Sequence, residues 1–226
     1  MTHKAQLFLL GVAPILAMLL ALLGVATLPT NPLGWFLLLV GVAYTAGVII
    51  VYIIRKERFW ESALDGATTH EERGDRSLWF ITLGMIAAFY LSPVEYRYLS
   101  AVLPRNAWLS LSGMGLVALG IALFVWARRT LGKNYSGHIS VKNGQALVQS
   151  GPYRFIRHPA YAGYLLMALG ISLGYSSLTG LTSVLALLLP GLIYRMKVEE
   201  KLLNNHFGDA YRQYICKTKR LIPGIW

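Results

Sequence analysis

The chain is short of two things. Of its 226 residues only one, Cys216, is a cysteine, and only 14% are charged. A single cysteine excludes an intramolecular disulfide and leaves the redox compartment open. No group of residues has zinc-ligand spacing, so no metal is assigned. Soluble domains of this size carry about 25% charged residues. The shortfall accompanies 55% hydrophobic residues, a positive mean hydropathy and several long apolar runs, which place the chain among integral membrane proteins. Acidic residues are the scarcer sign, ten against 21 Lys/Arg, giving a net charge of +11. That surplus does not point to nucleic acid. From Arg128 onward thirteen Lys/Arg and three Asp/Glu are interleaved with hydrophobic helices, a pattern expected of a cytosolic surface facing membrane lipids.

The apolar runs predict an all-α integral membrane protein with about six transmembrane helices, the last two a helical hairpin, plus a cytosolic amphipathic C-terminal helix. Leu7–Leu28, at 22 residues, is too long for a signal-peptide core and is read as a retained span. Trp35–Ile54, a segment from about Leu78, and Ala107–Ala127 follow. Residues 1–127 thus form a four-helix region, and 128–226 carry the polar motifs within the same structural domain. Between spans two and three lies Arg55–Arg76, a polar stretch with five basic and six acidic residues and no assigned chemistry. Glu95, near the end of the third span, is expected at the membrane interface. Thr130–Ile156 reads as a loop with minor strand character, including Ile139-Ser-Val-Lys. Ala160–Tyr175 and Leu178–Tyr194 make the hairpin, joined at Ser176-Ser177. Met196–Phe207 is the amphipathic helix, stopped by Gly208. The C-terminal Pro-Gly-Ile-Trp lacks a prenylation or retrieval signal. With six spans and the N-terminus inside, nineteen of 21 Lys/Arg lie on the cytosolic side and only Arg97 and Arg105 lie outside.

Two polar clusters stand out. In Gly151–Gly163, Gly-Pro-Tyr-Arg-Phe-Ile-Arg-His-Pro-Ala-Tyr-Ala-Gly, Pro159 suits the first turn of a helix and pushes His158 to its boundary. Arg157 and His158 then lie beside a helix N-terminus, a place that attracts a carboxylate or phosphate. Taken singly, Arg154 and Arg157 could meet lipid phosphates, and Tyr153 and Tyr161 could belong to an interfacial belt. The second cluster is Glu199-Glu200. Glu200 shares an apolar stripe with Met196, Leu203 and Phe207, so its carboxylate needs a partner: a ligand or a buried structural pair. Glu199 shares its stripe with Arg195, which offers it an ion pair.

Together these segments resemble the isoprenylcysteine carboxyl methyltransferase family and, more loosely, membrane phospholipid methyltransferases. The resemblance rests on Leu147-Val-Gln-Ser-Gly-Pro-Tyr-Arg-Phe-Ile-Arg-His-Pro-Ala-Tyr-Ala-Gly, followed by Glu199-Glu200-Lys-Leu-Leu, Phe207-Gly208, Tyr211, Tyr214 and Arg220-Leu-Ile-Pro. It covers about Leu131 to Trp226; the earlier spans match only as hydrophobic helices. It implies an S-adenosylmethionine-dependent methyltransferase embedded in the membrane. The cofactor would lie between Arg157, His158, Tyr161 and Gly163 on one side and Glu199 and Glu200 on the other. Tyr153, Pro159 and Leu203 are assigned to the same site, with Arg157 and Glu200 as catalytic residues.

The chemistry agrees with that implication. An arginine and a helix N-terminus suit the cofactor's carboxylate, and a glutamate suits its ammonium or ribose. The cofactor is cytosolic, where the charge count puts the site, and a lipophilic substrate would enter sideways from the bilayer. The acceptor stays open: a carboxylate, as in isoprenylcysteine, needs no general base, whereas an amine must lose a proton and a thiol gains from a lowered pKa. A phospholipid or small thiol is the alternative acceptor. A nicotinamide-dependent sterol-type reductase and a non-enzymatic membrane protein are the competing classes. The expected location is a multi-pass protein of a bacterial or archaeal inner membrane, or of the endoplasmic reticulum.

Overall fold

The structure, a computed structural model, describes residues 13–54, 77–99, 102–134 and 146–224. The start of the first expected span, the polar stretch Arg55–Arg76 and the strand-like Ile139–Lys142 lie outside the described residues. Among the described residues seven helices follow one another: α1 Ala13–Thr27, α2 Leu33–Ile54, α3 Ser77–Tyr98, α4 Ala107–Leu131, α5 Pro159–Gly174, α6 Leu178–Phe207 and α7 Asp209–Lys217. No strand occurs among the described residues; the only sheet-like contact there is an isolated parallel bridge between Ile156 and Lys219. The chain is thus an all-helical integral membrane protein. By length and composition α3, α4 and α6 can each cross a bilayer, and Leu16–Thr27, Leu33–Ala43 and Pro159–Gly174 are shorter apolar stretches.

The bundle is held by close backbone approach rather than by bulk. Where α4 crosses α5, a Cβ added at Gly113 would lie 2.5 Å from the Gly170 carbonyl oxygen. One added at Gly120 would lie 2.8 Å from that of Gly163. Small residues are needed wherever helices in lipid gain their attraction from contact between backbones. Large apolar side chains such as Trp79, Leu83, Trp108, Leu119 and Leu185 point outward and are exposed. Outward apolar residues of this size are what a lipid-facing surface requires.

Two prolines sit inside long helices. Pro93 in α3 and Pro190 in α6 each follow a π-helical turn, Ala87–Leu91 and Val184–Leu188 respectively. A proline cannot donate to the carbonyl four residues earlier, and its ring collides with it. The wider turn re-routes that hydrogen bonding: Leu189 donates to Val184, five residues back. The helix therefore continues. Sequence reading placed a separate amphipathic helix at Met196–Phe207; the structure instead carries α6 unbroken from Leu178 through Glu199 and Glu200 to Phe207. Gly208, with φ +55°, ends α6 and lets α7 begin at once.

The joint between α5 and α6 is short and tightly bonded. Ser176 takes a positive φ of 49°, Ser177 caps α6 through Gly180 N–H at 2.9 Å, and Ser176 donates to the Pro104 carbonyl at 2.9 Å. Glu95 lies near the end of α3 and is only 5% exposed, buried against the joint rather than facing outward. Its carboxylate accepts from the Ser177 and Thr179 hydroxyls at 2.6 Å each, and from the Leu178 and Thr179 amides at 3.1 and 3.0 Å. A carboxylate fits there because the first turn of α6 presents amides with no helical partner. Asn31 adds a second clamp at this end, donating to the Gly174 carbonyl at 2.8 Å. Replacing Glu95 by Ala removes the acceptor of four donors, among them the buried Ser177 hydroxyl, and should lower stability by ~2 kcal/mol; thermal unfolding in detergent measures it, and an unchanged midpoint would show that the clamp is dispensable.

Candidate functional site

At the opposite end of α5 the chain enters through a 3₁₀ turn, Gly151–Arg154, and then runs extended to Pro159. His158 occupies the helix boundary, with φ −123° and ψ 58°, as the residue before proline must avoid the helical region. The extended piece does not stand alone. The Arg157 and His158 amides donate to the carbonyls of Lys219 and Arg220 at 2.7 and 3.0 Å, and Lys219 N–H donates to the Phe155 carbonyl at 3.3 Å. The last described residues of the chain are thereby laid along the Arg-His-Pro segment. Tyr214 of α7 adds a bond from its hydroxyl to the Tyr153 carbonyl at 2.7 Å.

Glu200 enters this frame from α6 and is 8% exposed. Its Oε1 accepts from Arg157 Nε at 2.9 Å and lies 3.3 Å from His158 Nε2. Its Oε2 accepts from Arg220 Nη2 at 2.8 Å and Nε at 3.0 Å. Arg157 spends its other end on the carbonyls of Ile215 and Thr218. One carboxylate thus joins three chain segments. A buried carboxylate is tolerable only with such a complement of donors.

Glu199 is placed differently. Its side chain is 32% exposed against 10% for Glu200. Its Oε2 accepts from the Tyr161 hydroxyl at 2.8 Å and lies 3.6 Å from His158 Nδ1. Tyr161 in turn accepts from Arg195 Nε at 3.0 Å, so tyrosine stands between the arginine and glutamate that helical spacing had paired. The other Glu199 oxygen has no partner among the described residues. The His158 and Tyr161 rings stack at 5.5 Å with 11° between planes.

The structure brings Tyr153, Arg157, His158, Tyr161, Glu199 and Glu200 into one neighbourhood, as the sequence suggested. It pairs Arg157 with Glu200, where sequence reasoning gave each of them a ligand group. Pro159 is buried and starts α5. Gly163 is accounted for by contact with α4, and Leu203 is half-buried one turn beyond Glu200. Sequence reasoning missed Thr218, named Arg220 only as part of the resemblance and not as a partner of Glu200, and paired Arg195 directly with Glu199. The available signal was the need of a carboxylate in an apolar stripe for cationic partners.

Fold and cluster define an integral membrane protein with a charged, partly enclosed site at one end of a helical hairpin. Residues 108–210 match the family of phospholipid methyltransferases. Among curated relatives, the protein-S-isoprenylcysteine O-methyltransferase of Schizosaccharomyces pombe is 31% identical over 50% of this chain and 49% of its own length. Protein-S-isoprenylcysteine O-methyltransferase A of Arabidopsis thaliana is 27% identical over 64% of this chain and 76% of its own. The chain spans about half the length of the yeast relative and about three quarters of the plant one. Among solved structures, the eukaryotic intramembrane Ras methyltransferase ICMT superposes with a TM-score of 0.56 at 21% identity, covering 92% of this chain and 74% of that one. That likeness is one of fold. These matches make the chain similar to phospholipid methyltransferases over residues 108–210 and, over half of its length or more, to protein-S-isoprenylcysteine O-methyltransferases.

If Glu200 holds the cluster together, Arg157→Met should destabilise the protein by ~3 kcal/mol, because it leaves a buried carboxylate short of one cation. Arg157→Lys should recover only part, since an ammonium cannot reproduce the bonds made at both ends of the guanidinium. Thermal unfolding in detergent compares them; equal stability for all three proteins would contradict the assignment.

Proposed function

We propose that the protein is an S-adenosylmethionine-dependent methyltransferase that methylates a lipophilic acceptor, the carboxylate of an isoprenylcysteine-like molecule, entering from the bilayer. The observation that carries this reading is the convergence of the Arg-His-Pro and Glu-Glu segments, 42 to 43 residues apart, on shared hydrogen bonds. The proposed topology has six spans, with the N-terminus and the site on the cytosolic side.

The donor set fits the cofactor. The Glu199 oxygen without a partner among the described residues, beside largely buried Tyr161, suits an ammonium or a ribose hydroxyl, and the stacked His158–Tyr161 rings give a flat wall. When bound, S-adenosylmethionine would supply a methyl group on a cationic sulfur. Glu199, Tyr161 and His158 would offer it polar groups. Arg157, Glu200 and Arg220 act as a unit that fixes where those groups point. Tyr153, Pro159, Gly163 and Leu203 shape the surrounding walls. A carboxylate acceptor is ionised near neutral pH, and a membrane-embedded site excludes competing water, so positioning supplies most of the acceleration. That requirement matches a cluster whose buried carboxylate, Glu200, is already committed to cations and is no free base.

Calorimetry on the purified protein in detergent tests the reading. S-adenosylmethionine and S-adenosylhomocysteine should bind and NADPH should not. Glu199→Gln should weaken both adenosyl ligands by ~1.5 kcal/mol, the scale of a charge-assisted hydrogen bond. Binding of NADPH alone, or of none of the three, would remove the proposal.

A further inference from the structure

Two tyrosines on α7 lie 5.9 Å apart between ring centroids and are both buried, Tyr211 1% and Tyr214 4% exposed. Their hydroxyls have opposite fates. That of Tyr214 donates to the Tyr153 carbonyl at 2.7 Å. That of Tyr211 has no hydrogen-bond partner among the described residues. Burial of a hydroxyl without a partner is costly, and folded proteins rarely leave one so.

The surroundings explain why Tyr211 finds nothing to bond. Burial raises its pKa above that of an ordinary tyrosine, and the charges of Glu200 and Glu199 raise it further, against a lowering effect of Arg157. Geometry ties its helix to the site: Arg157 donates to the Ile215 and Thr218 carbonyls at the end of α7, and Tyr214 donates to the Tyr153 carbonyl. Yet both Glu200 oxygens are filled by Arg157, His158 and Arg220, and the bonded Glu199 oxygen accepts from Tyr161. These acceptors are committed to other donors, and the Tyr211 hydroxyl bonds to none of them. A packing residue at this position would do as well as phenylalanine, with no hydroxyl to desolvate.

We infer that Tyr211 is a further ligand-binding residue of the site, whose hydroxyl donates to an acceptor atom of the adenosyl cofactor. The inference rests on the function proposed above and adds a contact from α7, an element no other part of that reading uses for binding. It also gives the docking of α7 a purpose: the helix closes the site with a donor that only a bound molecule satisfies.

Tyr211→Phe removes the hydroxyl and nothing else. In the ligand-free protein its unfolding midpoint should equal or exceed that of wild type, because an unpaired buried group is lost. Its affinity for S-adenosylhomocysteine, measured by calorimetry, should fall roughly five- to tenfold, the worth of one neutral hydrogen bond. Tyr214→Phe supplies the contrast, since its hydroxyl is paired: the ligand-free protein should melt lower than wild type. Wild-type affinity in Tyr211→Phe, or a lowered ligand-free midpoint in that variant, would overturn the inference. Failure of the wild-type protein to bind S-adenosylhomocysteine would instead remove the functional reading beneath it.

Discussion

The Glu200 carboxylate is the constraint from which the rest of the site follows. In an apolar stripe of a long helix an ionised carboxylate is too costly to leave alone. It draws Arg157 and His158 from the segment entering α5, and Arg220 from the end of the chain. Each partner brings its backbone along, and the extended Arg-His-Pro segment pairs with Lys219 and Arg220 as a result. Buried ion clusters of this kind contribute little net stability but penalise any arrangement that breaks them. The cluster therefore specifies position, which is what a site acting by orientation needs.

Delivering Glu199 and Glu200 to that place depends on α6 being continuous. The hairpin leaves its joint at Ser177, crosses the apolar layer and reaches the polar cluster without a break, although Pro190 lies in its path. The π turn before Pro190 makes this possible, and it packs against the first part of α3, with the backbone of Leu188 close against Gly84. At the far end Glu95 anchors the first turn of α6. The two ends of the hairpin are thus each pinned by a carboxylate. One is bonded to neutral donors for structure; the other is bonded to cations and surrounded by groups fit for a ligand.

Much of this was legible in the sequence where the signal is local. The apolar runs marked the helices, Pro159 marked the start of α5, and the pairing of Arg-His-Pro with Glu-Glu was foreseeable from an unpartnered charge on an apolar stripe. What escaped was non-local. Glu95 reads as an interfacial residue because its partners, Ser177 and Thr179, lie 82 and 84 positions away. Pro190 gives no sign that a wider turn upstream absorbs it, since that depends on packing against another helix. Helical spacing linked Arg195 to Glu199, but it could not place Tyr161 from another helix between them. Arg220 was visible as part of a motif, but only the demand of Glu200 for a second guanidinium reveals what it does.

The central claim is that one carboxylate holds the Arg-His-Pro segment and the chain's end in register. Amide hydrogen exchange tests it most directly, comparing wild type with Glu200→Gln in detergent. The account predicts that the Arg157 and His158 amides, slow in wild type because they donate to Lys219 and Arg220, become fast in the variant while amides in the middle of α4 and α5 stay slow. Unchanged protection at Arg157 and His158 would contradict it.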